Sequence, residues 1–164
     1  MFVIYMPVSA QSAGFLKTKI DPGRAGVFID GKYVGPAKNF GETQKYSVAS
    51  GEHEVRLSEP RYHDLTSKVT IQSGKTLTLS EKMKPLPAPK PPFGRLRTVT
   101  SDKFAAVYIN DQYMGHADEF SNPGQRLLIA PGTYTVKIAP ANGGPVHQEQ
   151  VTIAENKDTI VRVK

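Results

Sequence analysis

Shifting the sequence by 80 residues along itself superposes Gly14 on Gly94, Leu16 on Leu96, Thr18 on Thr98, Val27 on Val107, Ile29 on Ile109, Tyr33 on Tyr113 and Gly35 on Gly115. One further inserted residue brings Gly51, His53, Val55 and Leu57 onto Gly132, Tyr134, Val136 and Ile138. Another brings Val69-Thr70-Ile71 onto Val151-Thr152-Ile153. An offset that drifts by single residues places small insertions in loops, where they are tolerated. So a chain of 164 residues must fold as two related units of about 70 residues rather than as one domain of ordinary size.

A segment at 82–93, Lys82-Met83-Lys84-Pro85-Leu86-Pro87-Ala88-Pro89-Lys90-Pro91-Pro92-Phe93, separates the units. Its prolines fix φ and withhold amide donors, which predicts an extended, semi-rigid spacer. The expected division is domain one at 14–81, linker at 82–93 and domain two at 94–164. Residues 1–13 read as a signal-peptide remnant or a first strand: a short apolar run, without preceding Lys or Arg, ends in Ser9-Ala10-Gln11-Ser12-Ala13. Such small residues precede a cleavage point in secreted proteins, which predicts an extracytoplasmic location if the run is a leader. No stretch approaches the length of a membrane-spanning helix.

Within each unit the hydrophobic period is two. Val55-Arg56-Leu57, Lys68-Val69-Thr70-Ile71, Thr76-Leu77-Thr78-Leu79 and Tyr134-Thr135-Val136-Lys137-Ile138 alternate apolar with polar residues, as half-buried strands do. Asp30-Gly31 stands between two β-prone triplets and predicts a tight hairpin, since a type I′ turn needs positive φ at both central residues. Asn110-Asp111 holds the same place in the second unit. Short strands between turn signals predict an all-β chain of two small antiparallel β-sandwiches in tandem. The expected first core is Val27, Ile29, Tyr33, Val55, Leu57, Val69, Ile71 and Leu79. For the second it is Val107, Ile109, Tyr113, Leu128, Tyr134, Val136, Ile138, Val151 and Ile153.

These residues resemble the PEGA domain family, whose pattern runs from a strand through Pro-x-Gly-Ala into Val-x-Ile-Asp-Gly, then Gly-x-x-Pro and Gly-x-His-x-Val. The first unit supplies Asp21-Pro22-Gly23-Arg24-Ala25, Val27-Phe28-Ile29-Asp30-Gly31, Gly35-Pro36-Ala37, Gly51-Glu52-His53-Glu54-Val55 and Tyr62, with Arg24 and Gly26 displaced and Arg61 in place of a glycine. The second has Ser101-Asp102-Lys103-Phe104-Ala105 instead of the Pro-Gly turn and keeps Val107-Tyr108-Ile109-Asn110, Gly115 and Pro131-Gly132-Thr133-Tyr134-Thr135-Val136. The resemblance implies accessory β-sandwich modules of surface and envelope proteins or beside signalling domains, without shared catalytic residues.

Chemistry is sparse. The absence of cysteine excludes disulfides, thiolate metal sites and a Cys nucleophile. His53, His63, His116 and His147 form no metal-ligand spacing, and there is no Gly-x-Ser-x-Gly elbow and no phosphate loop ahead of a helix. His53, aligned with Tyr134, reads as a half-buried packing ring. No catalytic residue, cofactor or metal is expected. The net charge of +6 favours anionic partners, spread as 11 Lys/Arg against 8 Asp/Glu up to Lys82 and 10 against 7 beyond. Arg95 and Arg97 share one face of a strand, able to grip an anionic glycan or teichoic phosphate, or else guarding an exposed sheet edge. Phe40, Tyr46, Tyr62, Phe104, Tyr108 and Phe120 lie outside the strongest core positions and either fill the sandwiches or offer a sugar platform. The candidate ligand-binding residues are therefore Tyr62, Arg95, Arg97 and Phe120. The expected function is a non-catalytic envelope module binding a cell-wall glycan or an envelope protein, with a structural spacer as the alternative and an enzyme with an unrecognised site last. Nucleic acid is not an expected partner, since no recognition helix or aromatic RNA motif is present.

Overall fold

The computed structural model describes residues 12–164. The apolar run at the start of the chain lies outside the described residues. From Ala13 onward the chain is built of strands, with two short 3₁₀ turns and no helix long and apolar enough to cross a membrane among the described residues.

The first half holds β1 (Ala13–Asp21), β2 (Gly26–Ile29), β3 (Lys32–Pro36), β4 (Tyr46–Ala49), β5 (Gly51–Ser58), β6 (Leu65–Ile71) and β7 (Thr76–Lys82). The second holds β8 (Gly94–Val99), β9 (Ala106–Ile109), β10 (Gln112–His116), β11 (Leu127–Ile129), β12 (Gly132–Ala139), β13 (His147–Ile153) and β14 (Asp158–Arg162). The first half makes a three-stranded sheet in the order β4-β1-β7 and a four-stranded sheet β3-β2-β5-β6; the second repeats this as β11-β8-β14 and β10-β9-β12-β13. Pairing is antiparallel except where β1 meets β7 and β8 meets β14. Each half is a small β-sandwich.

The two hairpins form as their turn residues dictate. Asp30 and Gly31 have φ of 50° and 82°, and Asn110 and Asp111 have 48° and 64°. Each turn is tied to the neighbouring strand in the same way. The Asp30 N–H donates to Glu54 O at 2.9 Å while Asp30 Oδ1 accepts from the Glu54 N–H at 2.9 Å. Asn110 exchanges the matching pair with Thr135, both at 2.9 Å.

Between the sheets of the first half lies a core of Leu16, Val27, Ile29, Val55, Leu57, Ile71 and Leu79; its counterpart contains Leu96, Val107, Ile109, Val136, Ile138, Ile153 and Val161. Val69, Tyr134 and Val151 pack against these cores from partly buried positions. Phe40 and Phe120 each close a 3₁₀ turn, Ala37–Phe40 and Ala117–Phe120, which swings the ring inward. Leu128 departs from expectation: it is 52% exposed, because its neighbours Leu127 and Ile129 take the inward positions of a three-residue strand.

Tyr33 and Tyr113 are buried, but not in the cores to which the sequence reading assigns them. Tyr33 pairs with Phe28, and Tyr113 with Tyr108, so these rings share the sheet face opposite to Val27 and Ile29 or Val107 and Ile109. Each half covers the rings of the other. Phe28, Tyr33, Ala106 and Tyr113, with Tyr108 and Ala141 beside them, form a third apolar cluster. The two four-stranded sheets therefore back onto one another, and the three-stranded sheets lie on the flanks remote from this junction.

The proline-rich segment is docked at both ends. Lys82 is the last residue of β7, and Met83 is buried in the first core. The His63 N–H donates to Lys84 O and the Leu86 N–H to Arg61 O, both at 2.8 Å, while Phe93 O accepts from the Asn156 N–H at 2.9 Å. The span left free of such ties is shorter than the proline pattern implies.

Candidate functional site

The junction between the sandwiches is the most chemically varied part of the molecule. At its centre, Phe28 lies 5.4 Å from both Tyr33 and Tyr113, edge-on to the latter, and Tyr33 lies 5.5 Å from Tyr113. The Arg56 guanidinium covers the Phe28 ring at 4.0 Å. Such arrangements add about 0.5–1.5 kcal/mol per aromatic pair beyond burial. Gly26 is required here, since a Cβ on it would fall 2.6 Å from the Tyr113 ring.

Matched positions are not used identically. Tyr33 Oη donates to Phe104 O at 3.0 Å, whereas the buried Tyr113 Oη neighbours the Tyr33 hydroxyl without good hydrogen-bond geometry. Burial foremost pushes the phenol pKa of Tyr33, Tyr108 and Tyr113 above the ordinary value. At one side Arg24 Nε donates to Glu59 Oε1 at 3.0 Å and lies 3.7 Å from Glu119 Oε1 of the second half. Glu59 is only 5% exposed and also accepts the Arg61 N–H at 2.9 Å, so this carboxylate is satisfied. His116 is fully buried beside Phe104; its Nδ1 lies 3.1 Å from Glu119 Oε2, and its Nε2 makes no hydrogen bond.

Beside the aromatic cluster opens a cleft of about 260 Å³ whose walls come from both halves and from Leu86. From the first half come Arg56, Ser58, Tyr62 and Asp64; from the second, Tyr108, Asp111, Gln112 and Tyr113. Its polar groups are held in place. Asp64 accepts from Arg56 at 3.0 Å and from Ser58 Oγ at 2.7 Å. Asp111 accepts from Lys137 Nζ at 2.7 Å, and the same ammonium lies 4.8 Å from the Tyr108 ring. Carboxylates, an amide, a guanidinium and phenols suit hydrogen bonding to a polyhydroxylated ligand. Among the described residues no group of three metal-ligating side chains is present.

Of the four candidates from sequence, the structure puts only Tyr62 at this cleft. Arg95 and Arg97 lie on the far flank, on the outer face of β8. Arg95 is paired with Asp158 and donates to Asn156 O at 2.6 Å; Arg97 Nε donates to Ser121 O at 2.7 Å. Phe120 is 8% exposed and belongs to the second core, which removes it as a platform. Sequence reasoning missed Arg56, Asp64, Asp111 and Gln112. The signal was present for one of them, because Arg56 pairs with Phe28 and so must share its outward face.

The outer faces of the three-stranded sheets are strongly cationic. On the first lie Lys17, Lys19 and Lys82, with Lys45 placed over the Phe15 ring at 4.7 Å, against Asp21 alone. On the second lie Arg95, Arg97 and Arg162, with Arg126 paired to Asp158, against Asp158 alone. Leu128 and Ile160, 52% and 42% exposed, flank the arginines.

His53 has a structural role. Its ring nitrogens face Asp30 Oδ2 at 2.6 Å and Ala49 O at 2.7 Å, both acceptors, so the doubly protonated ring fits best. The hydrogen bond to Asp30 raises the histidine pKa and lowers that of the carboxyl. Tyr134 donates to Ala130 O at 2.9 Å at the equivalent place in the second half.

No curated protein matches this sequence. A solved structure, the Bacillus anthracis TIE protein, is 18% identical, with 92% of this chain aligned to 33% of that one and a TM-score of 0.28; the chain spans about a third of that protein's length. Residues 16–87, from Leu16 in β1 to the proline segment after β7, match the family model described as the PEGA domain.

Proposed function

We propose that this chain is a non-catalytic interaction module of the cell envelope, that its second sandwich is a diverged copy of the first, and that it takes a wall-glycan residue in the cleft between them. The observation that carries the reading is the cleft itself, where hydrogen-bonding side chains from both halves converge on a space of about 260 Å³. Its polar groups are held by Arg56, Ser58 and Lys137 before any ligand arrives, which lowers the ordering cost of binding. The identical strand order of the halves supports the duplication. The family matched over residues 16–87 supports an extracytoplasmic location.

Co-sedimentation of the protein with purified cell-wall sacculi tests the reading. Retention at high salt, lost on Gln112→Ala or Tyr108→Ala, is the expected result. Binding that disappears at high salt, or that ignores both substitutions, would remove the cleft as a glycan seat. The spacer reading keeps one specific support: the aromatic junction and the docked linker hold the sandwiches as one rod. It predicts no glycan retention at all and a protein partner captured by cross-linking.

A further inference from the structure

The cationic flanks have a second significance, separate from the cleft. Outward positions of the two three-stranded sheets, together with Lys45 and Arg126, carry eight Lys/Arg and two Asp. Without the two loop residues the strand positions alone hold an excess of four, most of the net charge of +6 of the whole chain, and the Glu42 backbone O accepts from Lys17 at the margin of the first face. Protection of a sheet edge does not account for the excess. Lys17, Lys19, Arg95 and Arg97 lie on β1 and β8, which are the central strands of their sheets.

Arg95, Arg97 and Arg126 are pinned through some of their N–H groups by Asp158, Asn156 O and Ser121 O, leaving further donors for a ligand. Charges two residues apart on a strand recur about every 7 Å. The result is an extended charged strip rather than a pocket for one small anion. Exposed Leu128 and Ile160 beside the arginines offer apolar contact between charges. A chain that alternates phosphodiesters with short carbon units complements both features.

We propose that each outer sheet face binds a polyol-phosphate polymer, and that the two faces, on opposite flanks, let one molecule bridge two polymer strands. Two sites that point apart cannot wrap a single short strand, so their joint use cross-links.

The full chain is titrated with soluble poly(glycerol phosphate) while light scattering follows bridging. Anionic-lipid vesicles, duplex DNA and an uncharged wall glycan are run in parallel. Expected are binding that falls about a hundredfold between 50 and 500 mM salt, the slope for roughly three phosphates neutralised per face, and scattering at substoichiometric polymer. Lys17→Gln with Lys19→Gln, or Arg95→Gln with Arg97→Gln, should abolish scattering and leave binding at the other face; all four should weaken binding at least tenfold. Circular dichroism confirms that each variant is folded. Equal affinity in the quadruple variant, or tighter binding to vesicles or DNA than to the polymer, would overturn the proposal. Uncharged glycan reports on the cleft alone, so the two readings stand or fall separately.

Discussion

Removing the hydroxyl from Tyr113 should stabilise the paired sandwiches, whereas the same change at the matched Tyr33 should weaken them. Tyr113 Oη is buried beside the Tyr33 hydroxyl without a well-formed hydrogen bond, so folding strips it of water and gives little back. That desolvation costs about 1–3 kcal/mol, and Tyr113→Phe recovers a part of it while keeping the ring contacts to Phe28 and Tyr33. Tyr33→Phe instead breaks the 3.0 Å bond to Phe104 O and leaves that carbonyl unpaired, at a cost of about 1 kcal/mol. Urea denaturation followed by far-ultraviolet circular dichroism measures both, with unchanged m-values required for the comparison to hold. The midpoints should move in opposite directions, with a separation of about 1–3 kcal/mol. Equal destabilisation by the two substitutions would refute the reasoning, because it would mean that the Tyr113 hydroxyl is satisfied.

Gly26→Val should separate the sandwiches without unfolding either, since its side chain must occupy the space of the Tyr113 ring; small-angle scattering should give a larger radius of gyration, and calorimetry two transitions in place of one. Alkaline pH should act on the same junction. Buried Tyr33 and Tyr113 hold their protons above the ordinary value of 10.0, so their contribution is full below that pH and is lost as pH rises through the raised folded values; a spectrophotometric titration should show phenolate appearing together with domain separation. The Asp30–His53 tie has limits on both sides. Its carboxylate part is present above 3.8 and lost as pH falls through the lowered folded value, and its imidazolium part is full below 6.5 and lost as pH rises through the raised one, which NMR titration of the His53 ring should follow.

What could be read from sequence was what neighbouring residues decide. The hairpins at Asp30-Gly31 and Asn110-Asp111 need only a positive φ at two adjacent positions, and the alternation around Val55 and Val136 needs only one buried sheet face. Leu128 sits in the run Leu127-Leu128-Ile129, where three apolar residues leave the inward parity undetermined until β11 pairs with β8. Phe40 and Phe120 lie in 3₁₀ turns, outside any period of two. Tyr33 and Tyr113 were legible as buried but not as buried by the other half, because docking between units leaves no local pattern. For the same reason the cleft was largely invisible: Tyr62 and Gln112 become neighbours only once the sandwiches meet.

The junction has a form usually found between separate molecules. Each half presents the β2–β3 or β9–β10 hairpin face to its counterpart, so residues at matched positions meet as they do across the twofold axis of an isologous dimer. In a homodimer every substitution appears on both sides of the axis. Carrying both halves on one chain lifts that constraint, and the lining of the junction differs between them: glycine faces tyrosine at position 26 while the residue 80 positions on is Ala106, and Phe28 stands where the second half has Tyr108. The cleft beside the junction is lined by unmatched positions, Arg56 to Asp64 from one half and Tyr108 to Tyr113 from the other, so it need not recognise a symmetric ligand and its two walls can suit different ends of one molecule.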